Sequence, residues 1–569
     1  MFWKSRPYDK AKEEELIRNG QSKLLARLLA QRNIEPKDVP SFLSSNYEDL
    51  SHPHKLGGVD KAVQIFAEAI KNKKSIAVYG DYDADGVCSS TMIKELCTSF
   101  NCSCVVFLPS RKEHGYGLNI KSIEDFKVRL VTPPHLLFVL DCGSNNEKEV
   151  RDLKAWGVQK IVIIDHHIID PSKQSTSADV LINWHLCGYQ ETCACGEVFQ
   201  FIRGVRWVTK KINPIEYLPY AALGVLADVS PIIGDNRIIV RNGLKEYAMK
   251  HLTSSGLICL LRKSGVYSKN ISQEDVLFKI APRINAVGRL EKPDIAFNLL
   301  IEQDLSTAEL IAQCMAERND ERKKIQKSMV KEAITTVNAN IKDYPNGILI
   351  FNQNWNIGVV GLVASKLTEH FFVPAIVVGQ NGEVWKGSGR SLKGIDLKEI
   401  LDSCAYLFDG HGGHKMAAGV TLNKNHILIA NQIFNEACGK YYEKYGRPEK
   451  IRYYDAMVKP SSLNKNAVNG LLKTLYPYCS QNNPEPIFLL PDVTITDTEL
   501  FGKEEQKMVA FNVVRDGSKS AFFLRSFTDV VGTEINGCKA DVYVTLPQTI
   551  NSNPKFRTFL NVVDIVLKK

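Results

Sequence analysis

The sequence predicts an α/β protein: a parallel-sheet domain, a long connecting helix, a second α/β domain and a small C-terminal β-barrel. Three patterns carry that prediction. From about residue 60 to 245 short apolar runs alternate with helical stretches, as in a parallel sheet with crossover helices. From Ser306 to about Lys342 one helical pattern runs unbroken until Pro345. Beyond about residue 485 short alternating apolar runs, such as Met508 to Val514 and Ala521 to Leu524, are separated by breakers.

Taken in order, strands are predicted near 75–80, 104–108, 136–140, 160–164 and 179–183, and helices over 59–72, 87–100, 195–211 and 216–227. In such sheets functional groups collect at the carboxyl ends of strands. The long helix opens with a capping box, Ser306-Thr307-Ala308-Glu309. Its ends carry apolar faces and its middle, Glu317 to Lys324, is polar throughout, which predicts a bridge solvated between two domains and roughly 50 Å long. The second α/β unit has strands near 347–352 and 374–378, a helix over Gly358 to His370, a glycine-rich Gly410 to Gly419 and a helix near 426–444. The predicted domains are 1–305, 306–342, 343–450 and 451–569.

At 569 residues the chain exceeds what one core supports, and 44% hydrophobic with 24% charged residues excludes wholesale disorder. A net charge of +9 is a mild bias toward polyanions. No apolar run reaches the roughly 18 residues of a membrane span and the N-terminus lacks a signal-peptide core, so a soluble cytoplasmic protein is expected. The 14 Cys read as reduced thiols. His185, Cys187, Cys193 and Cys195 match no standard zinc-ligand spacing.

Four runs end in acidic or histidine side chains and read as buried strands: Ala77 to Gly86, Leu137 to Gly143, Ile161 to His167 and Leu223 to Asp228. Ionised carboxylates leaving apolar strands are costly unless something positive compensates them. Asp81, Asp83 and Asp85 alternate, so an extended backbone would project all three to one side; an acidic turn or calcium loop is the alternative. Asp141 and Asp228 taken singly suit helix capping. Joined to Asp165-His166-His167 they suit ligation, because paired histidines after a β-branched run have few structural uses. A carboxylate and imidazole set without thiolate prefers manganese or magnesium, and two such ions about 3.5–4 Å apart clamp a phosphoryl group. Metal-dependent phosphoester hydrolysis is the reaction class.

Asp83-Ala84-Asp85-Gly86, Asp165-His166-His167 and Gly412-Gly413-His414-Lys415-Met416-Ala417-Ala418-Gly419 resemble the DHH phosphoesterase superfamily with its associated glycine-rich substrate domain. Arg111 to Leu118, Ala281 to Leu290, Gly387 to Ser391 and Asn483-Pro484-Glu485-Pro486 narrow the resemblance to the RecJ single-strand-specific DNA exonucleases, over about residues 50–490 with an OB-fold-like tail. The resemblance implies that Asp83, Asp85, Asp141, His166 and Asp228 hold two Mn2+ or Mg2+ ions, with Asp141 as bridge. Asp81 and His167 assist catalysis, and Arg111, Arg283, Asn285, Arg289, Ser388, Arg390 and His414 bind the substrate strand. Read from residue type alone, Arg283 and Arg289 also suit salt bridges, and Gly412 to Gly419 a tight turn into a strand.

The implied activity is 5′-to-3′ digestion of single-stranded DNA to 5′-mononucleotides in recombination and repair, by a monomer working with a helicase and a single-strand-binding protein and without a membrane. The alternatives are a short-oligonucleotide or nucleoside bisphosphate phosphoesterase and a noncatalytic nucleic-acid-binding scaffold. Phe501, Phe511, Phe522 and Phe523 are candidate stacking platforms, half or more of which alternation assigns to barrel core. Three departures stand out: Tyr79 where relatives place His, Asn356 where relatives place His, and Tyr476 to Ser480 in place of a Phe-Gly approach to the tail.

Overall fold

The computed structural model describes residues 2–44, 46–111, 113–115, 117–245, 254–267, 271–290, 293–479, 482–501, 507–527, 534–547 and 559–568. Lys112, Tyr116 and Ser480, which fall in motifs quoted above, lie outside them.

Five apolar segments form one all-parallel sheet: β1 (Ile76–Tyr79), β2 (Cys104–Phe107), β3 (Leu136–Leu140), β4 (Lys160–Ile164) and β5 (Val180–Ile182). Their spatial order is β2-β1-β3-β4-β5. Every residue of β1 and β3 is buried, as a sheet covered on both faces requires. The order reverses between β1 and β3, and at such a switch point the crossovers part and leave a crevice beyond the carboxyl ends of the strands. Helices α1 (Ala84–Ser99), α2 (Ala194–Thr209) and α3 (Leu218–Ala227) pack on one another beside this sheet.

Two local alternatives are decided here. The run to Asp228 suits both a strand end and the predicted helix over 216–227, and the helix is what forms: Leu223 to Ala227 ends α3, with Asp228 as its C-cap. Nine of the ten α3 residues are buried, and a helix apolar all round cannot be told from a buried strand by periodicity. Nor does the Asp81 to Asp85 stretch stay extended, because α1 begins at Ala84 with Asp83 as its N-cap.

The linking helix α5 (Leu305–Ala339) follows α4 (Ala281–Leu290) and spans 35 residues. Its cap is Asp304, whose Oδ1 accepts from the Thr307 amide (2.8 Å) and hydroxyl (2.7 Å), so the predicted box at Ser306 is displaced by a better acceptor two residues earlier. Ala308, Ala312 and Met315 enter the core of the first unit, and Met329, Ala333 and Val337 that of the second. The polar middle is not simply solvated: Asn319 is 0% exposed.

The second unit comprises β6 (Ile348–Asn352), α6 (Val360–Phe371), β7 (Ala375–Asn381), β8 (Val384–Arg390), β9 (Phe408–Gly413) and β10 (Ala417–Leu422). The sheet order is β9-β10-β8-β7-β6, with only β6 and β7 parallel. Gly410 to Gly419 is therefore an antiparallel hairpin.

Strands β11 (Ile487–Phe501), β12 (Met508–Arg515), β13 (Phe523–Phe527), β14 (Lys539–Thr545) and β15 (Phe559–Leu567) close a ring, because β11 pairs with both β12 and β14 and β13 pairs parallel with β15. This is an OB-like barrel. Phe511 and Phe522 sit in its core, while Phe501 is 38% exposed and stacks on Phe559 at 6.0 Å. The first forty residues, grouped by sequence with the N-terminal domain, pack instead into the C-terminal core: Leu16, Leu29 and Phe42 join Phe488 and Phe511. The strand Phe2–Ser5 pairs parallel with Ile451–Tyr454, a long-range pairing that local pattern does not reveal. Arg237, 0% exposed, ties these parts together by donating to the carbonyls of Phe42, Thr474, Leu475, Tyr476 and Pro477.

Candidate active site

The acidic side chains gather at the switch point: Asp81 and Asp83 follow β1, Asp141 follows β3, and Asp165, His166 and His167 follow β4. Asp83 Oδ1 accepts from the Asp85 amide (3.0 Å) and the Gly86 amide (3.2 Å) at the start of α1. A Cβ on Gly86 would come within 2.6 Å of the Asp81 carbonyl oxygen, so only glycine allows this turn. Asp85 accepts from Ala194 N (2.9 Å) and Cys195 N (2.8 Å) at the N-terminus of α2, where free amides and the helix dipole favour a carboxylate. Cys193 and Cys195 thus belong to the seat of Asp85. Asp141 adopts φ 60, a left-handed conformation that Asp tolerates and that marks strained functional positions.

His166 Nε2 lies 3.2 Å from Asp141 Oδ1, 3.9 Å from Asp85 Oδ2 and 3.9 Å from Asp228 Oδ1. Candidate ligand atoms of Asp141, His166 and His167 lie within 4.8 Å of one another, as do those of Asp81, Asp83 and Asp141. Asp141 is common to both groups. Ligand atoms on one divalent ion, about 2.1 Å from it and at right angles, stand about 3 Å apart, so these separations suit ions between them.

The electrostatics agree. Burial, then Asp85, Asp83, Asp81 and Asp165, pushes Asp141 well above the usual carboxylate range. Burial and Asp83 do the same to Asp81, whose Oδ1 is buried without a partner. Asp228 is pushed up to about 6 by burial, with His166 opposing and Asp85 adding. Carboxylates that cannot all ionise together call for cations, and the oxygen-rich donor set with one or two imidazoles fits hard divalent ions.

Asp165 behaves differently. Burial would raise it, yet the hydrogen bond from His167 Nδ1 (2.6 Å), the charges of His167 and His166, and the Ser144 amide (2.9 Å) hold it below its ordinary value. Its partner His167 rises to about 9, burial being outweighed by the bond to Asp165. Asp165 stands inside the motif read from sequence, but its role as the orienting group needed the fold.

Beside this cluster opens a cavity of about 850 Å³ between the two α/β units. Tyr82, Arg111, His167 and Arg289 line it from the first unit, and Asn356, Lys386, Ser388, Arg390, His411 and His414 from the second. Its described lining contains no Asp or Glu. Arg111 lies over the Tyr82 ring at 5.7 Å, and Arg390 Nη1 donates to Ser388 Oγ at 2.8 Å. Arg289 drops to about 10 through burial and the nearby Arg111, with Arg390 and Arg322 adding to the crowding. His414 is lowered by burial and by His167 across the cleft. Crowded cations with no acid among them make a site for an anion.

Arg283 and Asn285 are not among the described lining residues. Asn285 Oδ1 accepts from Ala84 N at 2.9 Å, so it holds the turn that carries Asp83. Tyr79 is buried in the sheet's core, where its hydroxyl contacts Ser122 Oγ (2.6 Å) and its ring packs on Phe107 and Phe126, with the charge of Asp81 acting on it. Asn356 accepts from Gly358 N (2.8 Å) at the cleft wall. The Tyr476 hydroxyl accepts from Gln273 N, docking the approach to the barrel on the first unit. Tyr82, Lys386 and His411 were not singled out from sequence; only their place on the wall marks them.

The DHH family N-terminal domain matches residues 75–227, and the DHHA1 domain matches residues 345–440. This chain therefore carries a DHH domain followed by a DHHA1 domain. Its homologues include the single-stranded-DNA-specific exonuclease RecJ of Bacillus subtilis, 33% identical over 77% of this chain and 55% of that protein. The RecJ of Haemophilus influenzae is 29% identical over 82% of each. The crystal structure of Thermus thermophilus RecJ in complex with Mn2+ superposes with a TM-score of 0.80 at 24% identity, covering 100% of this chain and 79% of that one, which establishes the shared fold. The chain thus spans about half of one relative and most of the others.

Proposed function

We propose that this chain is a single-stranded-DNA-specific exonuclease that proceeds 5′ to 3′, releases 5′-mononucleotides by hydrolysis with two Mn2+ or Mg2+ ions, and serves DNA recombination and repair. The observation that carries the reading is the meeting of a carboxylate and imidazole cluster with a cleft wall rich in arginine and free of acids. Asp81, Asp83, Asp85, Asp141, His166 and Asp228 are the residues that would hold the ions. Bound there, divalent ions neutralise phosphoryl charge and acidify the attacking water.

The protein side of the reaction follows from its own groups. Asp165 accepts from both the His167 amide (3.3 Å) and its Nδ1, which anchors the ring of a residue that lines the cleft, where a phosphoryl oxygen would lie. Arg111, Arg289 and Arg390 with Ser388 grip phosphates, and His414 closes the same wall. The barrel, with Phe501 at its surface, extends the contact to bases beyond the scissile bond. In this reading the protein is a cytoplasmic monomer fed by a helicase and a single-strand-binding protein. Among the described residues no helix is long and apolar enough to cross a membrane.

Digestion of 5′-labelled single strands and matched duplex in Mn2+ tests the proposal. Label leaving the single strand as mononucleotide, and not the duplex, is the expected result. Activity confined to fragments of a few nucleotides would select an oligonucleotide phosphoesterase, and binding without release a scaffold.

A further inference from the structure

The polar middle of α5 poses a packing problem. Asn319 is fully buried, and its Nδ2 has no acceptor. Its Oδ1 is taken by Arg322 Nη2 at 3.0 Å, so the amide is fixed with its donor unspent. Arg322 Nη1 reaches Gln326 Oε1 at 3.2 Å, while its Nε is buried and unpaired. On α4, which packs against α5, Arg283 gives its terminal nitrogens to the Lys279 and Lys263 carbonyls and again leaves Nε buried without a partner. Asp320, the acid nearest Arg283 in effect, is exposed and lies 3.6 Å from Lys323.

The unsatisfied groups are thus all donors, two of them on cations. A buried unpaired donor costs about 1–3 kcal/mol, and a group of them in one place calls for an acceptor that water or a bound anion supplies. Arg289, which lines the cleft, stands on α4, the helix packed against α5, and Arg322 on α5 is among the charges that depress it. The donor cluster therefore continues the arginine wall onto the connecting helix.

We infer that the α4–α5 crossing is a further anion subsite, in which Asn319 and Arg322, with Arg283, take a backbone phosphate of the single strand beyond the nucleotide being cleaved. This rests on the nuclease reading above and deepens it. It also accounts for the helix: its middle is polar because it lies along the strand's path.

The test is binding of a fluorescein-labelled oligothymidylate of about 12 nucleotides by the full chain in EDTA, followed by anisotropy across a salt series. Arg322→Gln is expected to weaken binding about tenfold near 0.1 M salt and to reduce the slope of log K against log salt by about 0.7, one phosphate's worth for a single strand. Arg322→Lys keeps the slope. Asn319→Asp, which sets a carboxylate against the phosphate, weakens binding about tenfold or more and supplies the test if Arg322→Gln does not fold. Folded variants with wild-type affinity and slope would overturn the inference and leave the cluster as water-satisfied packing. A wild-type chain that binds no single strand at any salt would instead sink the nuclease reading, and this subsite with it.

Discussion

The carboxylate pocket and the arginine wall facing it are assembled on different plans. Asp81, Asp83, Asp141 and His166 each stand within a few residues of a strand end, and adjacent parallel strands bring them together. Arg111, Arg289, Arg322 and Arg390 come from a loop, two helices and a strand of the second unit, and meet only because α5 holds the two units face to face. The first arrangement is local and chemically unforgiving. The second is spread over the chain and shares its task among several cations, so its members should be individually less costly to lose.

That contrast can be broken at several points. Asp141→Ala, which removes the carboxylate common to both candidate ligand groups, should lower turnover on single-stranded DNA about 10³-fold while strand binding in EDTA persists. Equal loss of binding would mean the two regions are not separable. Asp165→Asn should cost about 10–100-fold in kcat with little change in KM, because it frees the His167 ring rather than removing a phosphate contact. Arg390→Gln should act the other way, raising KM about tenfold with a smaller change in kcat, in steady-state assays at fixed salt. A kcat effect from Arg390 as large as that from Asp165 would erase the distinction.

The smallest effect concerns stability. Glu95, on the helix that carries Asp85, is pushed up to about 7 by burial, with the hydrogen bond from Tyr220 opposing. A carboxyl whose folded value exceeds its unfolded one, near 4.5, contributes stability that is present below pH 4.5 and lost as pH rises through 7. Glu95→Gln should therefore gain about 2 kcal/mol relative to wild type between pH 5 and pH 8 in urea unfolding. Glu485, also pushed up to about 7 by burial, leaves part of the slope in place. An unchanged slope in Glu95→Gln would show that the charged form is already solvated.

Local pattern carried much of this fold. The alternation of buried runs located β1 to β5, and the unbroken helical pattern located α5, because strand burial and helix periodicity are properties of contiguous residues. It left two answers open where two structures share one local signature. The apolar run before Asp228 suits a strand or a buried helix equally, and the fold chose helix by packing α3 against α1 and α2. Asp83 could project from an extended segment or cap a helix, and the amides of Asp85 and Gly86 chose the cap. Asn285 is implied by resemblance to bind substrate, and the fold adds a contact with Ala84, 201 residues away, a separation that no local pattern encodes.

By itself the sequence determined the chemistry: which carboxylates and histidines stand at strand ends, and hence a site that needs hard divalent cations, because that depends on residue type and on burial of neighbours in the chain. Only the tertiary structure decided what faces that chemistry. The cleft wall, the orientation of His167 by Asp165, the burial of Asn319 and the docking of the first forty residues on the barrel all depend on long-range packing. Donors, cations and apolar faces find their partners there across hundreds of residues, and their energies are settled by who is near in space.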